Sequence, residues 1–104
     1  MKYLTFEQIK AQLRLDDEQA ELERTLLEMY GESAEDTVLN IINRSYTEVV
    51  ELYGTDDRHV PAPLVHASLL LVELSYTQRA PVTQTNLYTV PYAFDMMVKP
   101  YMRL

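Results

Sequence analysis

Apolar residues recur at helical spacings along much of this chain of 104 residues. Near its start, Thr5 is followed three positions later by Gln8, a capping-box pattern that satisfies two backbone donors at the beginning of a helix. A helix that begins here has one apolar face, formed by Phe6, Ile9 and Leu13. The acidic residues that follow predict its end near positions 16–17.

A second and longer helix is predicted over residues 18–43. Its apolar residues recur at spacings of three and four, which is typical of one buried face: Leu22, Leu26, Leu27, Tyr30, Ala34, Val38, Ile41 and Ile42. Gly31 interrupts this pattern, and a glycine within a helix costs about 1 kcal/mol relative to alanine. Either another backbone approaches closely at Gly31 or two helices meet there. The periodicity favours one continuous helix.

Two further helices are predicted before residue 80. Ser45 or Thr47 caps a short helix over residues 48–53, which Gly54 ends. Residues 55–59 form an exposed loop and residues 60–63 are extended. Pro63 suits the first turn of a helix over residues 64–79, which is apolar nearly all round. A helix without a polar face is surrounded by protein, so it lies in the core or partly under another subunit.

The last part of the chain changes character. Residues 82–90 carry no charge and are rich in β-formers, so they predict an extended arm. A short helix over residues 92–98 follows, and it is too short to be stable alone. It must therefore dock, either on its own helices or on a neighbouring subunit. We predict an all-α protein, a small bundle of about four to five helices over residues 1–82 with an arm and docking helix over residues 83–104.

Charge is distributed unevenly along the chain. Residues 1–57 contain 5 basic and 14 acidic side chains, a net of −9, whereas residues 58–104 contain 4 basic and 2 acidic, a net of +2. An acidic front half argues against wrapping nucleic acid, which requires clustered Lys and Arg. The acidic residues form either a solvated helix face or a surface that repels DNA or meets a basic partner.

No group of residues indicates catalysis. His59 and His66 have no carboxylate at metal-ligand spacing and are predicted to lie on the surface. The chain has no cysteine and only two glycines, so thiolate chemistry and a phosphate-binding loop are excluded. We predict a protein that is not an enzyme and needs no metal or cofactor. No signal peptide or membrane span is visible, which favours a soluble intracellular protein.

Three stretches together resemble a known family. They are YLTFEQIKAQLRLD at the front, PAPLVHASLLLVELSYTQR in the apolar helix and NLYTVPYAFDMMVKPYMRL at the end. In this order they resemble the small helical head–tail connector proteins of tailed bacteriophages and prophages. Met97 and Val98 stand where leucines are more usual in that family, and Met102 separates Tyr101 from Arg103.

That resemblance implies a structural role. Connector subunits form a closed ring beneath the portal vertex of the capsid, with about a dozen copies matching the portal's symmetry. The ring would join the portal protein to the downstream tail-completion protein. DNA would pass through its channel without sequence-specific binding. The protein would be found at the head–tail junction of the virion and, before assembly, in the cytoplasm of the bacterial host, with no membrane contact.

The resemblance also suggests three groups of site residues. The arm and docking helix are expected to reach a neighbouring subunit through Leu87, Tyr88, Val90, Tyr92, Phe94, Met97 and Val98. Lys99, Tyr101 and Arg103 are expected to dock on the portal or on a neighbour's acidic surface. A channel-facing acidic surface is expected from Glu21, Glu28 and Glu35. Deletion of residues 86–104 is then expected to prevent assembly while leaving the helical content largely intact.

The alternative is a small helical regulatory or adaptor protein of the antitoxin or transcription-cofactor type. Such a protein shares the helical content and the acidic charge. A version that reads DNA with a helix-turn-helix needs a basic recognition helix, and the candidate helices contain too few Lys and Arg.

Overall fold

A computed structural model describes residues 1–56, 58–77 and 92–103, and the whole of this described part is helix, turn or irregular chain. The all-α prediction is therefore confirmed. Its α-helices are α1 (Phe6–Leu13), α2 (Asp17–Leu22), α3 (Arg24–Ile42), α4 (Tyr46–Tyr53), α5 (Ala62–Thr77) and α6 (Tyr92–Val98), followed by a 3₁₀ turn over Lys99–Tyr101.

The helix starts follow local capping chemistry. Thr5 Oγ1 accepts a hydrogen bond from the Gln8 backbone at 3.1 Å, and Gln8 Oε1 accepts one from the Thr5 backbone at 2.9 Å, so the predicted capping box is present. Ser45 caps α4 through the Glu48 backbone N–H, and α4 begins at Tyr46, two residues before the predicted start. These short-range contacts explain why the boundaries could be predicted closely.

The predicted single helix over residues 18–43 is wrong, because it divides at Glu23 into α2 and α3. Glu23 has φ −107° and ψ 14°, outside the helical region. Its carboxylate accepts a hydrogen bond of 2.7 Å from the Tyr76 hydroxyl on α5. The side chains at the break are thus held by tertiary contacts that the periodicity does not encode, and Leu22 is left 77% exposed rather than in the apolar face.

Gly31 lies within α3, which continues through it without a break. A Cβ at this position would meet the Met1 sulfur and would lie 2.9 Å from Ile9 Cδ1. The glycine therefore permits the segment before α1, and α1 itself, to pack closely on α3. The atoms that lie close to Gly31 belong to the side chains of Met1 and Ile9, and not to a second backbone.

α5 is the centre of the fold and contacts α1, α3 and α6. Its first half shares a core with the C-terminal half of α3, through Leu64 and Ala67 on one helix and Val38 and Ile42 on the other. Its second half shares another core with the N-terminal half of α3. The two helices therefore run antiparallel. This burial explains why α5 has no polar face, as the sequence predicted.

Candidate interaction surfaces

The C-terminal segment packs on its own chain. Phe94 and Val98 of α6 are 3% and 2% exposed and lie in the core formed by α3, α4 and α5. Burying a phenylalanine side chain stabilises by roughly 1.5–3 kcal/mol, enough to hold a helix that is too short to be stable alone. α6 is therefore part of the fold of its own subunit.

Polar contacts fasten the residues after α6 to the junction of α3 and α4. Arg44 Nε donates a hydrogen bond of 2.8 Å to the Tyr101 carbonyl, and the Arg103 backbone donates one of 2.8 Å to the Ile42 carbonyl. The rings of Tyr53 and Tyr101 meet edge to face at 5.0 Å. The final residues of the described chain are thus attached at several points.

These contacts correct part of the predicted subunit interface. Phe94 and Val98 are buried within their own subunit and are unavailable to a neighbour in this arrangement, and Met97 packs partly against the same core. Met96, also on α6, projects outward at 61% exposure. The arm residues Leu87, Tyr88 and Val90, and the side chain of Tyr92, lie outside the described residues.

The three residues expected to dock on the portal differ in environment. Lys99 is exposed. Tyr101 is partly buried against Tyr53, and the Arg103 guanidinium forms an ion pair of 3.2 Å with Glu48 while remaining about half exposed. Lys99 is therefore exposed, whereas Tyr101 and Arg103 are engaged by contacts within the chain.

Glu35 does not belong to an exposed acidic surface, which corrects the prediction for this residue. It is 1% exposed, and its carboxylate accepts backbone hydrogen bonds from Lys2 at 2.8 Å, Tyr3 at 2.8 Å and Leu4 at 2.7 Å. A buried carboxylate is tolerated when its oxygens are hydrogen-bonded in this way. Glu35 holds the segment before α1 against α3.

Glu21 and Glu28 do lie at the surface, on either side of Arg24. The Arg24 guanidinium binds Glu21 at 2.7 Å and Glu28 at 3.2 Å, and it stacks over the Phe6 ring at 4.3 Å. Nearby on the same half of the molecule, hydrogen bonding from Lys10 holds the pKa of the Asp17 carboxyl below its usual value. Part of the negative charge of this surface is therefore compensated by Lys10 and Arg24.

Several large apolar side chains are exposed that the spacing of apolar residues does not predict at the surface. Leu22 is 77% exposed, Met29 57% and Leu52 57%. Leu22 has helical spacing with the buried face, so periodicity alone assigned it to the core. The prediction that His59 and His66 lie at the surface is correct, since both are exposed.

The described residues contain no group of His, Cys, Asp or Glu side chains arranged to hold a metal ion. Within the same residues, no helix is both long enough and apolar enough to cross a membrane. Charged and apolar surfaces that suit contact with other macromolecules are the main features of the described part. The described part is thus a small all-α bundle with exposed charged and apolar side chains.

A family model described as Phage gp6-like head-tail connector protein matches residues 3–102. Because the match covers nearly the whole chain, the protein belongs to this family of phage head–tail connectors, as the sequence resemblance indicated. Its role is that of a structural connector in the phage particle, associated with head and tail components. Searches of curated proteins and of solved structures find no match.

Proposed function

We propose that this protein is the ring-forming subunit that joins the portal to the tail and surrounds the path of the DNA. The observation that carries the proposal is the family match over residues 3–102, which includes both the helical core and the C-terminal segment. A closed ring of about a dozen copies requires a heterologous contact, in which one surface of a subunit meets a different surface of the next.

The arm over residues 83–90 is proposed to pack on a neighbouring subunit through Leu87, Tyr88 and Val90. Its sequence is uncharged and rich in β-formers, which suits addition to a neighbour's backbone or surface. The docking of Phe94 and Val98 in their own core supports this arrangement, because it anchors the far end of the arm. The arm then begins and ends on the same subunit.

The exposed acidic surface at Glu21 and Glu28 is proposed to face the channel. Carboxylates on a channel wall repel DNA phosphates and prevent the DNA from adhering during passage. Glu21→Lys and Glu28→Lys, tested together in the phage, are expected to reduce DNA ejection while particles still assemble. Unchanged infectivity would contradict the channel assignment.

Lys99 is proposed to contact the portal, with the tail-completion protein on the opposite side of the ring. The experiment is cosedimentation of the purified chain with the portal assembly from the same phage, comparing wild type with Lys99→Glu. Arg14→Glu is the control, because it makes the same charge change at an exposed residue of α1's C-terminal end. Loss of portal binding in Lys99→Glu alone supports the proposal. Equal binding by both variants would reject Lys99 as a contact.

A further inference from the structure

A cleft of about 570 Å³ opens between the segment before α1, the start of α4 and the start of α5. Its lining combines two kinds of side chain. Tyr3, Tyr46, Val60, Val65 and Leu69 supply apolar surface, whereas Lys2, Arg58, His59 and His66 supply basic groups. No acidic side chain lines it among the residues that the structure describes. The cleft therefore suits a ligand that is apolar at its centre and negatively charged at its edge.

The floor of the cleft is fixed in place. The rings of Tyr3 and Tyr46 stack at 6.4 Å with their planes 8° apart, and the Tyr3 hydroxyl is hydrogen-bonded to Ser68 Oγ at 2.5 Å. The Tyr3 backbone is in turn bound by the Glu35 carboxylate. A preformed surface of this kind binds without the cost of ordering its own side chains.

The chain itself presents a segment with the complementary chemistry. Leu22 is 77% exposed at the end of α2, and Glu18, four residues earlier, is also exposed. Residues four apart lie on the same face of a helix, so the leucine and the carboxylate project together. This pair offers an apolar anchor beside a negative charge. Neither residue lines the cleft, so the cleft and this face of α2 are two distinct surfaces of the chain.

We propose that the cleft of one copy receives the Glu18–Leu22 face of α2 from the next copy. Leu22 would contact the tyrosine floor, and the Glu18 carboxylate would pair with Arg58. Because two different surfaces meet, the contact is heterologous and repeats from copy to copy. The inference rests on the proposed ring, and it specifies which surfaces form the subunit contact.

Two other occupants fit less well. The arm over residues 83–90 has no charge to match the basic edge of the cleft. DNA phosphates match that edge, but the chain carries a net charge of −7, and Lys2 is already paired with Asp36 at 3.3 Å. The apolar floor also favours a protein side chain over a phosphate backbone.

The test uses the absence of natural cysteines in the chain. Gln19→Cys and His66→Cys are introduced together in the full chain, because Gln19 is exposed on α2 three residues before Leu22 and its replacement keeps the proposed anchor. A short bifunctional maleimide is then added. A head-to-tail contact produces a ladder of dimers, trimers and larger species, whereas either cysteine alone stops at dimers. The control pair is Leu52→Cys with His66→Cys, because Leu52 is 57% exposed on α4 and does not line the cleft.

Reversing the charges of Arg58 and Glu18, first one and then both, tests whether these two residues meet in the contact. Arg58→Glu in the cysteine pair is expected to slow ladder formation about tenfold or more, since it places like charges together. Adding Glu18→Arg to the same chain is expected to restore the rate. Circular dichroism of each variant confirms that the helices are intact.

A ladder no faster than that of the control pair would overturn the inference. If negative-stain images of the same sample still show rings, the proposed function is retained and a different contact joins the subunits. Fluorescence anisotropy with a duplex oligonucleotide covers the remaining possibility. DNA binding that Arg58→Glu abolishes, together with an unchanged ladder rate, would assign the cleft to phosphate and also overturn the inference.

Discussion

Replacing Glu35 with alanine should release the segment before α1. The carboxylate accepts three backbone hydrogen bonds of 2.7–2.8 Å, and hydrogen bonds to a charged group are each worth about 1.5–3 kcal/mol. Their sum overestimates the loss, because the freed segment can detach and bind water. Detachment also exposes Leu4, whose burial contributes roughly 1.5–3 kcal/mol.

We therefore expect Glu35→Ala to lower the free energy of unfolding by about 3–5 kcal/mol. That is a large share of the roughly 5–15 kcal/mol that stabilises a typical domain. Glu35→Gln should cost less. It keeps one acceptor oxygen for Tyr3 and Leu4 but turns an amide N–H₂ toward the backbone N–H of Lys2.

The assay is urea unfolding followed by circular dichroism, with hydrogen exchange of the backbone amides of Lys2, Tyr3 and Leu4. Asp36→Ala is the matched control, because Asp36 is the next residue on α3 and forms only a surface pair with the Lys2 side chain. Such pairs are worth about 0–1 kcal/mol. Equal losses for the two variants, with exchange of the three amides unchanged in Glu35→Ala, would refute the reasoning.

Three further perturbations test the packing. Burial raises the pKa of Tyr3 to about 12. Its contribution to stability, on the order of 3 kcal/mol, is therefore complete below pH 10 and is lost as the pH rises through 12. Ultraviolet titration should show a late-ionising tyrosine, which Tyr3→Phe removes. Phe94→Ala should lower the free energy of unfolding, measured by chemical denaturation, by about 3–5 kcal/mol. Met96→Ala, on the exposed side of α6, should change it by no more than about 0.5 kcal/mol. Equal losses would contradict docking of α6 on its own core. Replacing a glycine with alanine within a helix usually stabilises the fold by roughly 1 kcal/mol. Gly31→Ala should not show this stabilisation, because the new Cβ would crowd Ile9. Calorimetry that shows the full stabilisation would contradict that contact.

Features encoded over short distances in the sequence could be predicted. The capping box at Thr5, the cap at Ser45 and the limits of α6 all depend on residues within a few positions of each other. The division at Glu23 has no such local signal, and the carboxylate at this break accepts a hydrogen bond from Tyr76, more than fifty positions away. No local pattern contains that information.

Glu35 shows that a signal was present but was misinterpreted. Positions 31, 35, 38 and 42 recur at alternating spacings of four and three, so an acidic residue occupied a position typical of the core. A carboxylate there implies backbone or side-chain donors from elsewhere in the chain. The donors proved to be amides of residues 2–4, whose backbone a side-chain pattern does not describe.

For the C-terminal segment, the sequence pattern predicts docking but not the surface on which the segment docks. Its apolar residues required docking, but apolarity alone does not specify which subunit supplies the surface. The burial of Phe94 and Val98 in their own core changes the expected result of deleting residues 86–104. We now expect the deletion to destabilise the fold as well as to prevent assembly.

The most direct test of the connector assignment is the mass of the purified chain in solution, alone and mixed with its portal protein, with negative-stain images of the same fractions. The account predicts rings with a central hole, built from about a dozen copies and seated on the portal when it is present. A chain that stays monomeric both alone and with the portal would contradict it.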